Sequence, residues 1–133
     1  MKFLLEERFA LFNKLCTTYY ESSFFNKERE NIFKEVKKEI ETFVNNKETI
    51  SKMEQLINDY KDDIITRLHN DFPFMSDKDR LIYSLLLAGF SAKAIAVITG
   101  VSRDVVYARK SRLKKKIAKL DSDNKAIYEK YLV

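Results

Sequence analysis

Apolar side chains recur every three or four residues along most of the chain, with polar residues between them. That is the period of amphipathic helices, not of strands. Over residues 2–21 the stripe takes Phe3, Leu4, Leu11, Leu15 and Tyr19, and Phe9, Phe12 and Tyr20 widen it. Residues 22–26 read as a turn, with Asn26 placed to cap the next helix. Over 27–45 the stripe is Ile32, Val36, Ile40 and Phe43, and Lys and Glu fill the other side at i,i+4 spacings. After a weak break at Asn45-Asn46, the residues Ile50, Met53, Ile57, Tyr60 and Ile64 alternate by three and four, with Leu68 beyond. This predicts one helix over 47–70 with a coiled-coil-like seam about two heptads long. Such a seam serves either to pair two chains or to pack an ordinary amphipathic helix inside one domain.

Asp71-Phe72-Pro73-Phe74-Met75 is the clearest boundary, because proline disfavours helix at the residue before it. Ser76 with Asp79 resembles a capping box. The helix over 77–88 that follows carries Leu81, Ile82, Leu85 and Leu86 inward and ends at Gly89. Ser91 and Ser102 each stand just ahead of an apolar-periodic run, as N-caps do. Gly100 lies between the two runs, where a tight turn needs positive φ. Residues 91–117, SAKAIAVITGVSRDVVYARKSRLKKKI, therefore read as a helix-turn-helix with a long basic second helix over about 103–119. Ala96 is small where the two helices would cross. Ile95, Val101, Val106, Leu113 and Ile117 have the spacing of a small three-helix core. Asp121 or Ser122 would cap a short last helix, with Ile127 and Leu132 apolar.

Two glycines and one proline in 133 residues leave few turns, so the expected class is all-α. The expected organisation is an N-terminal helical hairpin or coiled-coil-like connector over 1–72, followed by a helix-turn-helix domain over 73–133. Charge sharpens this division. Residues 1–75 carry 12 basic and 14 acidic side chains, residues 76–120 carry 11 and 3, and residues 121–133 carry 2 and 3. The positive charge is concentrated in the helix-turn-helix segment, as expected of a surface that meets a polyanion.

Little here supports catalysis. The chain has one histidine, His69, and one cysteine, Cys16, far apart in sequence. His69 ends a predicted helix, where an imidazolium would complement the dipole. Cys16 reads as a small core filler among aromatic residues. A lone cysteine forms no intramolecular disulfide and fits a reducing cytosol. No zinc spacing, phosphate-cradling glycine loop or nucleophile elbow is present, so no catalytic residue, metal, cofactor or small-molecule substrate is expected. The pair Asp62-Asp63 reads as solvated helix surface. Met1-Lys2-Phe3-Leu4-Leu5 runs straight into charged residues, too short for a signal peptide. No run approaches the roughly 20 apolar residues of a membrane span.

From Arg109 to Lys119 seven of eleven residues are Lys or Arg. Charge runs are usually solvated faces, but this one extends a helix that already has helix-turn-helix spacing. On helical geometry Val106, Leu113, Ile117 and part of Arg109 face the core. Arg103, Asp104, Tyr107, Ala108 and Ser111 then point outward as the base-reading set, flanked by Lys110, Arg112, Lys114 and Lys115 at phosphate distance. Arg103 suits guanine, the Ala108 methyl suits a thymine methyl, and Asp104 suits either cytosine or Arg103 itself. Phosphate contacts would provide most of the affinity and none of the specificity.

From Met75 to about Leu120 the chain resembles the LuxR/NarL-type DNA-binding domain and the similar promoter-reading helix-turn-helix of sigma factors. The residues that carry this are Met75-Ser76, Ala88-Gly89-Phe90-Ser91, Lys93, Ile95-Ala96, Gly100-Val101-Ser102, Val106 and Ser111-Arg112-Leu113 to Ile117. The resemblance implies a scaffold helix, a positioning helix, a recognition helix and a short fourth helix. It also implies that Lys93 and Ser102 sit near phosphates. Ala94 stands where the family has an acidic residue before Ile-Ala, and Leu81 where the scaffold helix has one. Tyr107 and Ser111 replace lysines of the reading face, so base preference does not transfer. A longer resemblance links Leu15-Cys16-Thr17-Thr18-Tyr19-Tyr20, Asp71-Phe72-Pro73, residues 88–95 and residues 106–117 to the cytoplasmic C-terminal part of membrane-anchored tetratricopeptide regulators of Bacteroidetes. It implies a cytoplasmic chain whose sensor and membrane helix lie elsewhere, with residues 1–72 as the connector.

The expected function is thus sequence-specific binding of double-stranded DNA by a homodimer that pairs through its N-terminal helices, with RNA polymerase as a further partner. The rival expectation is a protein-interaction module whose degenerate helix-turn-helix contacts polymerase or another regulator. A membrane-surface role is disfavoured, because the basic helix lacks a broad apolar face.

Overall fold

The computed structural model describes residues 7–22 and 30–132. Among them are eight helices and no strand: α1 (Glu7–Ser22), α2 (Glu30–Asn45), α3 (Lys47–Tyr60), α4 (Ile64–Asp71), α5 (Asp77–Ala88), α6 (Ala92–Thr99), α7 (Arg103–Ala118) and α8 (Lys125–Leu132). The class is all-α. Four helices start on a side-chain cap, three of them on the expected serines. Asn46 accepts the Thr49 N–H at 3.1 Å, Ser76 that of Asp79 at 3.1 Å, Ser91 that of Ala94 at 3.1 Å, and Ser102 that of Val105 at 3.2 Å. Gly89 and Gly100 close α5 and α6 at φ of 95° and 75°, a conformation that carries little cost only for glycine. The last helix starts later than its expected cap, at Lys125, and the Ser122 hydroxyl accepts the Asn124 N–H just before it.

The helix expected over 47–70 is two helices. Asp62 and Asp63 adopt φ of 55° and 56°, a left-handed step that ends α3 and re-aims α4. Aspartate tolerates this region better than most residues. Asn58 plugs the break: its side-chain oxygen accepts the Ile65 N–H at 2.9 Å, and its amide donates to the Thr66 hydroxyl at 3.2 Å. Arg67 Nε donates to the Asp62 carbonyl at 2.7 Å. Ile57 and Ile64, seven residues apart, are both fully buried on either side of the break. The apolar period therefore runs through it unchanged.

The face that α1 buries also differs from the expected stripe. Phe9 and Cys16 are buried and Phe12 and Tyr19 half-buried, whereas Leu11 is 64% exposed and Leu15 38%. Aromatic packing sets this rotation. The Phe12 ring lies 4.5 Å from Phe43 and 6.2 Å from Phe90, and Phe9 meets Phe43 edge-on at 6.3 Å. Aromatic rings bury more apolar area than leucine and add contact energy of their own. Phe3, Leu4 and Asn26, and the side chain of Ile32, lie outside the described residues.

α6 is the hub of the fold. Its sequence, AKAIAVIT, is apolar on nearly every side, as suits a helix enclosed by others. It is packed by α1, α2, α5 and α7. One hydrophobic core runs from Phe9, Ile40, Met53 and Ile57 through Ile82, Leu85 and Ile95 to Val106, Leu113 and Ile117. This core draws on residues from both sides of residue 72. Met53, Ile57, Ile64 and Leu68 of the supposed pairing seam are buried in this core, and Tyr60 is 68% exposed. α8 packs on α7, and its fully buried Tyr128 donates a 2.5 Å hydrogen bond to the Asp71 carboxylate at the end of α4. No described helix is long and apolar enough to cross a membrane.

Candidate nucleic-acid interface

α7 separates its residues sharply by side. Val106, Leu113 and Ile117 point into the core, each 3% exposed or less. Arg103, Asp104, Tyr107, Ala108 and Ser111 are all exposed, Tyr107 to 52%, and their spacing places them on one opposite face. Arg112, Lys114, Lys115 and Lys116 are exposed along its flanks, and Lys110 is half-buried. Lys115 and Lys116 lie in the last turn, where they complement the helix dipole. Asp104 is the lone acid on this helix and stands in its first turn, again where the dipole favours it.

Arg109 takes no place on the open face. Its guanidinium is paired with Asp79 of α5, and its backbone carbonyl accepts a hydrogen bond from the Tyr83 hydroxyl at 3.0 Å. Burial pushes the Tyr83 hydroxyl pKa above its usual value, with the nearby Arg112 charge opposing, so this donor stays protonated. The sequence pattern missed both contacts. Asp79 reads there as half of a capping box, yet only its N–H serves the cap while its carboxylate reaches α7.

The two residues implied by resemblance as phosphate neighbours each have a partner within the chain. The Ser102 hydroxyl caps α7. Lys93, in the first turn of α6, is paired with Glu21 of α1 at 3.1 Å. Two more α1 residues reach the same helix end. Asn13 accepts the Ser91 N–H at 2.9 Å, and the Thr17 and Ser91 hydroxyls lie 2.7 Å apart. Asn13, Thr17 and Glu21 recur every fourth residue along α1, which is the one sequence signal for a polar contact stripe.

Other reactive groups are quiet. Cys16 is fully buried, and burial pushes its thiol pKa up to about 12, well out of the reactive range. Burial lowers the His69 pKa, with the Arg80 charge adding to the effect and Glu54 opposing it. The imidazolium expected at this helix end is therefore disfavoured. Among the described residues no three His, Cys, Asp or Glu side chains are grouped so as to hold a metal ion. Comparison of the chain with protein-family models, curated proteins and solved structures gives no match.

Proposed function

We propose that this chain is a LuxR-like transcriptional regulator that binds double-stranded DNA sequence-specifically, with α7 in the major groove and α6 as its positioning helix. One observation carries the reading: the exposed side of α7 combines base-sized side chains with cations, turned away from a buried Val106–Leu113–Ile117 stripe. In this reading Arg103, Asp104, Tyr107, Ala108 and Ser111 read bases. Lys110, Arg112, Lys114 and Lys115, with Lys93 and Ser102, hold phosphates. The helix-turn-helix occupies residues 73–133 and the chain works in the cytoplasm.

Two copies would bind half-sites about 34 Å apart. The α3–α4 seam is already buried within the chain. Pairing through the N-terminal helices would therefore use Leu11 and Leu15, which are among the exposed large apolar side chains of that part.

The test is enrichment of a randomised duplex pool by the whole chain, beside an Arg103→Ala/Tyr107→Ala variant. One recovered motif, relaxed in the variant, supports the reading. Affinity should also fall with salt by about 0.9 log unit per neutralised phosphate for each tenfold rise in salt. Retention that is equal in both proteins and insensitive to salt would instead favour a protein-interaction module that contacts polymerase or another regulator.

A further inference from the structure

Asn13, Thr17 and Glu21 form a single stripe on α1, and all three end at the start of α6. What they occupy is the polar part of that helix. α6 is enclosed along its length by α2, α5 and α7 as well as α1, and Lys93 is its one charged residue. Its polar offer to a DNA backbone is the Ser91 N–H, the Ser91 hydroxyl, the Lys93 ammonium and the backbone N–H groups of its first turn. α1 engages the first three. The Glu21 carboxylate supplies negative charge where a phosphate oxygen would, and a helix N-terminus favours an anion at that place.

The first helix of a helix-turn-helix lies across the DNA backbone. We propose that α1 is an intramolecular clasp that competes with DNA phosphate for the N-terminus of α6, so that full DNA engagement requires α1 to lift. This rests on the DNA-binding reading above and adds its regulation. The ion pair in this contact is weak. The Lys93 side chain is 33% exposed and that of Glu21 56%, so their attraction is screened by solvent. The resistance to lifting lies beneath, where Phe9 and Cys16 are buried and Phe12 packs on Phe43. A factor that covers the apolar side of α1 would therefore raise DNA affinity.

Competition is reciprocal, so DNA must loosen α1 as much as α1 weakens DNA binding. Cys16 is the chain's only thiol and is fully buried on α1, which makes it a reporter in the unaltered protein. Saturating mixed-sequence duplex at low salt should speed its reaction with a thiol reagent by about tenfold. A labelling rate that DNA leaves unchanged or slows would overturn the clasp. A second arm replaces the touching hydroxyls with a bridge, in Thr17→Cys/Ser91→Cys on a Cys16→Ala background. The oxidised form should bind the duplex about tenfold more weakly than its reduced form. Equal binding by both forms would overturn the clasp and leave the DNA reading standing. No binding by either form or by the unaltered chain would overturn both.

Discussion

The carboxylate of Asp79, in the first turn of α5, pairs with the guanidinium of Arg109 halfway along α7. One turn further on, Tyr83 donates to the carbonyl of the same residue at 3.0 Å. Two bonds from one helix to one residue of another fix how α7 is rolled, and hence which side faces out. Removing the acid should therefore cost both stability and binding. Asp79→Ala leaves a half-buried guanidinium without its partner, and after discounting for solvent the loss should be about 1–2 kcal/mol. Urea unfolding measures it. Asp79→Asn should lose less, because the amide still accepts one hydrogen bond from Arg109.

The break at Asp62-Asp63 makes a different demand. Asp63 sits at φ 56°, where a β-branched side chain is crowded. Asp63→Val should unfold more easily than Asp63→Gly by about 1–2 kcal/mol, since only glycine escapes the left-handed penalty. Thermal melts of the two variants check this. A valine variant at least as stable as the glycine one would mean that the chain runs straight through as one helix, as its apolar period suggests.

Ile57 decides what the apolar seam is for. It is fully buried with Met53 and Ile64 in the core that also holds Ile82 and Leu85. Ile57→Ala should cost about 2–5 kcal/mol by opening a cavity. The drop in melting temperature from parent to variant should be the same at every protein concentration, because the proposed pairing through Leu11 and Leu15 is common to both. A seam shared between two chains would instead weaken the dimer itself, and the drop would change with protein concentration.

What the sequence showed and what it hid follow from distance along the chain. The caps at Ser76, Ser91 and Ser102 and the turn at Gly100 are local, each within three residues of the group it serves, so they could be read directly. The exposed side of α7 was legible for a related reason: three apolar residues define its inner stripe without ambiguity. On α1, by contrast, apolar residues lie on almost every side. The choice of Phe9 and Cys16 over Leu11 and Leu15 depends on Phe43 and Phe90, which belong to other helices. The contacts of α1 with Ser91 and Lys93 span more than seventy residues, and the four-residue spacing of Asn13, Thr17 and Glu21 is their one local trace. The break before α4 was hidden because the phase from Ile57 to Ile64 is preserved across it.

Acid should lower the protein's stability in two steps, from two groups with the same sign. Burial favours the neutral form of the Asp71 carboxyl, but hydrogen bonds from Tyr128, Asn124 and Ser122 outweigh it and hold the group below its usual value of 3.8. His69 is also held below its usual value, 6.5, chiefly by burial and then by Arg80. In both cases the unfolded chain takes up its proton at a higher pH than the folded one. Each contribution is therefore complete above the unfolded value and is lost as pH falls through the folded value. Stability should begin to drop below about pH 6.5 on account of His69, and again below about pH 4 on account of Asp71. His69→Gln should flatten the first step and leave the second. Tyr128→Phe removes one of the bonds that hold Asp71 ionised, so it should lower stability at neutral pH and shrink the second step. Urea unfolding of the three proteins from neutral pH downward separates the two groups, and a first step that survives His69→Gln would assign it elsewhere.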